Sequence, residues 1–503
     1  MARARRRSSS KSAVAERPFE PATPRHLTAI GRIELSRPIR FALEDGVVTQ
    51  TTTLLDFGCG RGGDVTRLVG AGVRATGWDP VHLPSGSKNA ADVVNLGYVV
   101  NVIERPSERV DVLREAWSLA RSVLLVSVRL KGEARDEEGL RTYEDGCLTR
   151  LGTFQKFFEQ SELRDWVEAV LATPVVVAGP GILYVFRDER VRESFLAARQ
   201  RRRVATPRLR QSDVIFEKHR RLFESLMEFV AERGRLPVET ELECHNAICM
   251  AVGTIKRAFR VVRRVTGDDQ WDRIRDERSQ DLQVYIALAR FGRRPPFGKL
   301  PQDLQLDVRA FFSTYTRACS VADLMLFSAG VPERREDAFK AARVGKLMPT
   351  ALYVHTSAVS RLPPVLRIYE GCARSYVGRV DRANIVKLHR DQPRVSYLSY
   401  PAFETEAHPE LASSLSVHLQ SFALDQRSYQ DQAGRPILHR KEDFVTDDHP
   451  LRERFERLTR QEERRGLYDE PARIGTSSAW TELLAQHDLM IRGHRLLRAK
   501  RSK

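Results

Sequence analysis

One acidic residue followed by glycines at alternating positions marks the stretch Asp56-Phe57-Gly58-Cys59-Gly60-Arg61-Gly62, which directly follows Leu54 and Leu55. Glycine adopts backbone angles that other residues avoid, and its lack of a side chain lets a ligand approach the backbone closely. An apolar strand that ends in a carboxylate and leads through such a turn into a helix is typical of nucleotide-type binding sites. The pattern therefore predicts a ligand site at this glycine turn (residues 56–62), without identifying the ligand.

A second carboxylate, Asp79, ends the next predicted strand, Val73–Trp78. In sheets of this kind, an acidic residue at this spacing accepts hydrogen bonds from ribose hydroxyls. Dinucleotide-binding proteins use their glycines to hold a phosphate at the start of the helix. The alternating pattern Asp-x-Gly-x-Gly-x-Gly instead suits a ligand that has no phosphate at this place.

A parallel α/β sheet must position these residues, because predicted strands and helices alternate along the chain. The predicted elements are strands at Thr53–Phe57, Val73–Trp78 and Ser122–Val128, an apolar run at Asp92–Val102, and helices at Asp64–Val69 and Ser107–Ala120. Only the polar stretch Pro80–Ala91 separates the second strand from that run, so a further helix and strand between them are expected to be missing or vestigial. Later predictions are a loop at Lys131–Arg150, helices at Gly152–Phe158 and Ser161–Leu171, and a hairpin of Pro174–Val177 with Ile182–Phe186.

The block from Leu54 to Val128 resembles the class I S-adenosylmethionine-dependent methyltransferases in the order, length and apolar pattern of its elements. The resemblance implies that S-adenosylmethionine is the cofactor and that Asp79 binds its ribose. It also implies that residues of the glycine turn surround the methionine end of the cofactor, namely Asp56, Gly58, Cys59, Gly60 and Gly62.

Asn95-Leu96-Gly97-Tyr98 lies where amino-group methyltransferases of nucleic acids carry Asn-Pro-Pro-Tyr or a close variant. In that motif the asparagine accepts hydrogen bonds from the target amino group, and the aromatic residue stacks on the extruded base. Asn95 and Tyr98 are therefore the candidate catalytic residues. Both prolines are absent here, so an alternative stays open, in which Asn95 contacts the cofactor and Tyr98 packs in the core.

Segments along nearly the whole chain from about residue 26 onward resemble the DNA phosphorothioation-associated methyltransferases. Among them are LLDFGCGRGGDV, ATGWDPVH, ADVVNLGYVVNVIE, LTRLGTFQKFF, VGKLMPTALYVH and LPPVLRIYEGCAR. This resemblance implies a bacterial protein linked to the sulfur modification of DNA backbones, with DNA and proteins of that system as partners.

The formal net charge of +17 favours a polyanionic partner, and nucleic acid is the usual one. One predicted helix carries a basic stripe that suits phosphate contacts, and the alternative is a solvated surface. The residues of the stripe are Lys256, Arg257, Arg260, Arg263 and Arg264. The preceding linker, Arg199–Gln211, is also basic, and an amphipathic helix is predicted at Ser212–Arg233.

Four segments are predicted: a disordered basic arm at 1–26, a methyltransferase domain at 27–197, a basic linker and helical segment that could bind DNA at 198–275, and an α+β domain of unassigned role at 276–503. No apolar run is long enough to span a membrane. Six cysteines without paired spacing predict a reducing compartment, taken to be the cytoplasm, and no metal site is expected. The leading hypothesis is a methyltransferase that acts on DNA. The alternatives are a non-catalytic, cofactor-binding component of the DNA-modification system, or an enzyme acting on RNA or a small molecule.

Overall fold

A computed structural model of the chain describes residues 23–29, 34–136, 139–202 and 214–499. Most of the predicted basic arm, and residues 203–211 of the predicted linker, lie outside these residues. The end of the arm is described, and a 3-10 helix there spans Arg25–Thr28. No helix of the described residues is long and apolar enough to cross a membrane.

The N-terminal region is an α/β structure, as the sequence predicts. Its strands are β1 (Thr53–Phe57), β2 (Arg74–Trp78), β3 (Ala91–Gly97), β4 (Ala120–Ser127), β5 (Arg141–Tyr143), β6 (Gly146–Leu148), β7 (Phe154–Gln155), β8 (Val175–Gly179) and β9 (Ile182–Phe186). Its helices are α1 (Arg37–Glu44), α2 (Gly63–Gly70), α3 (Pro106–Leu119), α4 (Gln160–Leu171) and α5 (Glu189–Gln200).

Six of these strands form one mixed sheet in the order β2-β1-β3-β4-β9-β8. The first four are mutually parallel, whereas β9 runs antiparallel to both of its neighbours. The segment between β2 and β3 contains only turns and one isolated bridge, so the expected absence of a helix and a strand there is confirmed. Parallel order brings the carboxyl ends of β1, β2, β3 and β4 to one edge of the sheet.

The predicted helix at Gly152–Phe158 is wrong. Gly152 adopts a left-handed conformation in a turn, and the following residues form β7 in a small sheet of order β5-β6-β7. Every residue from Thr153 to Phe158 is buried, which a surface helix, with one face in solvent, would not allow. The predicted loop at Lys131–Arg150 likewise contains a 3-10 helix, Lys131–Asp136, together with β5 and β6.

Helices dominate the rest of the chain. They are α6 (Val214–Lys218), α7 (Arg220–Arg233), α8 (His245–Val252), α9 (Ile255–Thr266), α10 (Asp268–Leu288), α11 (Gln302–Phe312), α12 (Tyr315–Gly330), α13 (Pro332–Ala341), α14 (Pro364–Val377), α15 (Arg452–Glu463) and α16 (Ser477–Gln486). The single helix predicted up to Arg233 is broken at His219, whose backbone angles are not helical. The predicted boundary at residue 275 falls inside α10, so it does not separate two elements.

A second six-stranded sheet is an antiparallel meander in chain order. Its strands are β10 (Lys346–Leu347), β11 (Ala351–His355), β12 (Ile385–His389), β13 (Arg394–Ser399), β14 (Ser413–His418) and β15 (Leu424–Ser428), and a separate ribbon pairs β16 (Leu489–Ile491) with β17 (Leu496–Arg498). One core cluster joins Ala197 of α5 to α10, α12, α14 and this sheet. The two regions also meet directly, since the backbone N–H of Arg379 donates to the carbonyl oxygen of Ala178 at 2.6 Å.

Candidate cofactor site

The glycine turn connects β1 to α2 at the carboxyl edge of the first sheet. Gly58, Gly60 and Gly62 all have positive φ angles, of 83°, 53° and 72°. Such angles are strained for residues with a side chain, which explains the alternating glycines. The backbone N–H of Gly58 donates to the carbonyl oxygen of Trp78 at 2.8 Å, so β2 holds the turn in place. A Cβ built on Gly58 would lie 2.4 Å from Cγ2 of Val99, whereas one on Gly62 would meet open space.

Asp56 and Asn95 are register partners on the parallel strands β1 and β3. The Nδ2 atom of Asn95 donates to Oδ1 of Asp56 at 2.8 Å, and the two residues, Asn95 and Asp56, are 2% and 6% exposed. Oδ1 of Asn95 is buried and has no hydrogen-bond partner among the described residues. A buried polar atom without a partner is costly, so this oxygen is an acceptor in need of a donor.

Asp79 holds the glycine turn by hydrogen bonds to the backbone. Its Oδ2 accepts from the N–H of Gly60 at 3.0 Å, and its Oδ1 accepts from the N–H groups of Val81 and His82 at 3.0 and 2.8 Å. A carboxylate can accept about four hydrogen bonds. Oδ2 therefore keeps room for one further donor, while Oδ1 is already saturated.

Cys59 lies between the two carboxylates and is half-buried. Burial, together with the charges of Asp56 and Asp79, raises the pKa of its thiol to about 12. The thiol is therefore protonated at neutral pH, and since the thiolate is the nucleophilic form, Cys59 is not an activated nucleophile.

The two candidate catalytic residues differ in their surroundings. Asn95 is buried beneath the backbone that follows it, since a Cβ on Gly97 would lie 2.9 Å from Nδ2 of Asn95. Tyr98 is half-buried, has a φ of 60°, and donates its backbone N–H to the carbonyl oxygen of Ser127 at 2.9 Å. The structure thus joins Asn95 to Asp56 of the glycine turn and leaves Tyr98 nearer the surface.

The segment Thr23–Ala29 crosses this edge of the sheet, which the sequence does not predict. Arg25 pairs with Glu104 and Glu108 at 2.8 and 2.5 Å. Farther along, Cβ of Ala29 lies 3.2 Å from the position that a Cβ on Gly60 would take. The predicted disorder of residues 23–26 is therefore wrong. No local pattern marks Arg25 within a basic arm, because its partners lie 79 and 83 positions away.

The predicted basic stripe lies on α9, and its five residues differ in exposure and in ion pairing. Lys256, Arg257, Arg260 and Arg264 are exposed. Arg263 is half-buried and pairs with Asp268 and Asp272, with its Nη2 at 3.0 Å from Oδ1 of Asp272. Two carboxylates at the start of α10 already neutralise Arg263, so a phosphate would have to compete with them for this side chain.

No protein-family model matches the chain, and no curated protein matches its sequence. Among solved structures it is similar to 1,6-didemethyltoxoflavin-N1-methyltransferase of Burkholderia thailandensis, which was crystallised with S-adenosylhomocysteine. The identity is 14% over 33% of this chain and 79% of that chain, and the TM-score is 0.24. It is also similar to a magnesium protoporphyrin IX methyltransferase from Synechocystis, at 15% identity over 30% and 80% of the two chains, with a TM-score of 0.22. A third similar structure is a SAM-dependent methyltransferase from Aquifex aeolicus, at 16% identity over 34% and 98%, with a TM-score of 0.22.

Proposed function

We propose that this protein is an S-adenosylmethionine-dependent methyltransferase. The observation that carries the proposal is the buried, unpartnered Oδ1 of Asn95, which lies beside Asp56 at the carboxyl edge of a parallel sheet. The adjoining turn of left-handed glycines permits close approach of a ligand to the backbone. The resemblance of residues 54–128 to class I methyltransferases supports the same assignment.

The residues present fit this cofactor. Oδ1 of Asn95 would accept a hydrogen bond from the ammonium group of the methionine part, and the free lone pair on Oδ2 of Asp79 would accept from one ribose hydroxyl. Asp79 can serve one hydroxyl rather than two, because backbone N–H groups occupy its other positions. When bound, the cofactor supplies an electrophilic methyl group on a sulfonium.

The protein's own residues contribute position and shielding. Holding two reactants in line is a large part of what such a transfer requires. Asn95 fixes the carboxylate of Asp56, and the segment Thr23–Ala29 covers part of the turn. Cys59 is protonated and Asp79 is engaged with the backbone, so these side chains bind and orient rather than abstract protons.

DNA is the substrate class we propose, within a DNA phosphorothioation system. The net charge of +17 and the exposed cations of α9 support a polyanionic partner. The resemblance to DNA phosphorothioation-associated methyltransferases supports DNA over RNA. Proteins of that system are the proposed partners.

The first experiment measures transfer of radiolabelled methyl from S-adenosylmethionine to plain DNA, phosphorothioated DNA and bulk RNA, with calorimetric cofactor binding on the same sample. We expect label in DNA, and we expect Asp56→Ala to weaken cofactor binding by about a hundredfold, because it removes a buried charged acceptor and frees Asn95. Asp92→Ala is the matched control. That carboxylate begins β3 at the opposite edge and accepts from Thr53.

Label in RNA alone would overturn the DNA assignment. Cofactor binding without any transfer would favour the non-catalytic, cofactor-binding component. Equal binding by the wild type and Asp56→Ala would refute the site itself.

A second experiment concerns DNA binding by α9. Changing Lys256, Arg257 and Arg260 together to Gln should make the slope of log affinity against log salt shallower, by roughly one for each phosphate that these side chains neutralise. The control changes three exposed arginines elsewhere, Arg457, Arg464 and Arg465, and so removes the same charge. Equal effects in the two triple variants would mean that net charge, and not α9, governs binding.

A further inference from the structure

A cavity of about 820 Å³ lies between the N-terminus of α4 and the second region. This volume is within the range of small-molecule sites. Glu159, Ser161 and Arg164 line it from the first region. The opposite walls come from α12, α13 and α14 and from the turn between β14 and β15.

Arg335 of α13 lines this cavity and is only 7% exposed. Its Nη1 donates to the carbonyl oxygen of Ala329 at 3.0 Å, and its guanidinium lies 5.2 Å from the ring centroid of Tyr369. Its Nε is buried without a hydrogen-bond partner, and among the described residues no carboxylate forms an ion pair with its guanidinium.

The other buried arginines of the described chain differ from Arg335 in having a carboxylate partner. Each of them pairs with a carboxylate: Arg109 with Asp145, Arg192 with Glu193, Arg202, Arg278 and Arg367 with Asp281, and Arg233 and Arg235 with Asp307. An uncompensated buried charge is strongly unfavourable. The guanidinium of Arg335 therefore lacks an anion, and the cavity is where one can reach it.

Aromatic side chains surround the same space. Phe291 and Phe422 line the cavity and are 40% and 47% exposed, large values for phenylalanine. The ring of Tyr376 lies 5.2 Å from that of Phe422. The carboxylate at the rim, Glu159, is paired with Lys131 at 2.8 Å and so does not supply the missing partner of Arg335. A buried cation beside exposed rings suits a ligand that is both anionic and aromatic.

We propose that this cavity binds a small aromatic anion. Its carboxylate or phosphate pairs with Arg335, and its ring packs against Phe422. No residue of the glycine turn contributes to this site, so a test of ligand binding here does not depend on the proposed methyl transfer.

Ligand-observed NMR titration of the full chain tests this site with four probes: phenyl phosphate, benzoate, inorganic phosphate and phenol. We expect phenyl phosphate or benzoate to bind at least about tenfold more tightly than phenol, because only the anions reach the charge of Arg335. The tighter of the two distinguishes a phosphate from a carboxylate ligand. Equal binding of phenol and both aromatic anions would overturn the proposal.

Arg335→Gln should weaken binding of the preferred anion at least about tenfold. Arg334→Gln is the control, because this neighbouring arginine of α13 is exposed. Equal affinities in the two variants would refute the role of Arg335.

Phe422→Ala gives a second test that does not disturb the buried arginine, since Phe422 lies on an exposed turn. Removal of the ring should weaken binding of the aromatic anion about two- to tenfold and leave inorganic phosphate unchanged. If Arg335→Gln does not fold, this comparison of the aromatic anion with inorganic phosphate still tests the proposed binding mode. Unchanged affinity for the aromatic anion would remove Phe422 from the site and refute the proposed binding mode.

Discussion

The two six-stranded sheets of this protein use their polar residues differently. In the first, the parallel strands β1 and β3 end at one edge, where Asp56 and Asn95 meet and Oδ1 of Asn95 is left without a partner among the described residues. In the second, antiparallel strands end alternately at both edges, and polar side chains satisfy one another on its face. Nε2 of His389 and Oγ of Ser396 lie 3.0 Å apart, and Oγ of Ser396 lies 2.7 Å from Oγ of Ser416. At the parallel edge a buried acceptor is thus left for a ligand, whereas on the antiparallel face these three side chains satisfy one another.

Among these predictions, the largest change in stability should follow Gly58→Ala, at the edge of the first sheet. We expect a decrease of about 2–4 kcal/mol in the free energy of unfolding, because the added Cβ would meet Val99 and the backbone is left-handed. Gly62 has a similar positive φ angle, but a Cβ there would meet open space. Gly62→Ala should therefore lower the free energy of unfolding by only about 1 kcal/mol. Urea denaturation of both variants measures the difference. If both are destabilised equally, strain alone, and not the proximity of Val99, explains the glycine at position 58.

Acidification should cause a smaller loss of stability, and this loss should be confined to the second region. Burial, aided by the charges of Lys387 and Arg394, lowers the pKa of His389 to about 4, and burial lowers the pKa values of His355 and His494 to about 4 as well. The unfolded chain takes up these protons near pH 6.5 and the folded chain does not. Stability of this region should therefore fall as the pH drops from 6.5 towards 4.

The N-terminal region, which contains the first sheet, should resist that change. Arg109 lowers the pKa of Asp145 to about 2, so the stability that this carboxylate contributes declines only below its ordinary pKa of 3.8. Hydrogen exchange at pH 7 and pH 5, corrected for intrinsic rates, should show loss of protection in β12 and β13 before β1 and β3. His389→Gln should reduce this loss. Uniform loss in both sheets would contradict the predicted division.

The sequence predicts features that depend on neighbours in the chain. The glycine turn, the strands leading to it and the short connection after Asp79 are all present, since local pattern determines them. The hydrogen bond between Asp56 and Asn95 could not be predicted, because it depends on the register of strands 39 residues apart. The error at Gly152–Phe158 has the same origin, because backbone hydrogen bonds to distant residues, such as that from Lys156 to Asn101, hold this segment extended. In the second sheet, the pairing of the six strands likewise depends on segments far apart in the chain, so it could not be predicted.

The short connection after Asp79 leaves β2 as the outermost strand of the first sheet. Exposed outer strands invite a second chain to add its own backbone and so lead to aggregation. Here the chain folds back on itself: a Cβ on Gly86 would lie 2.3 Å from the carbonyl oxygen of Gly77, so this turn covers that part of the strand. The exposed charge of Arg74 stands at the other end of β2. The turn therefore shortens the stretch of β2 with which a second chain could pair, although Thr76 stays exposed.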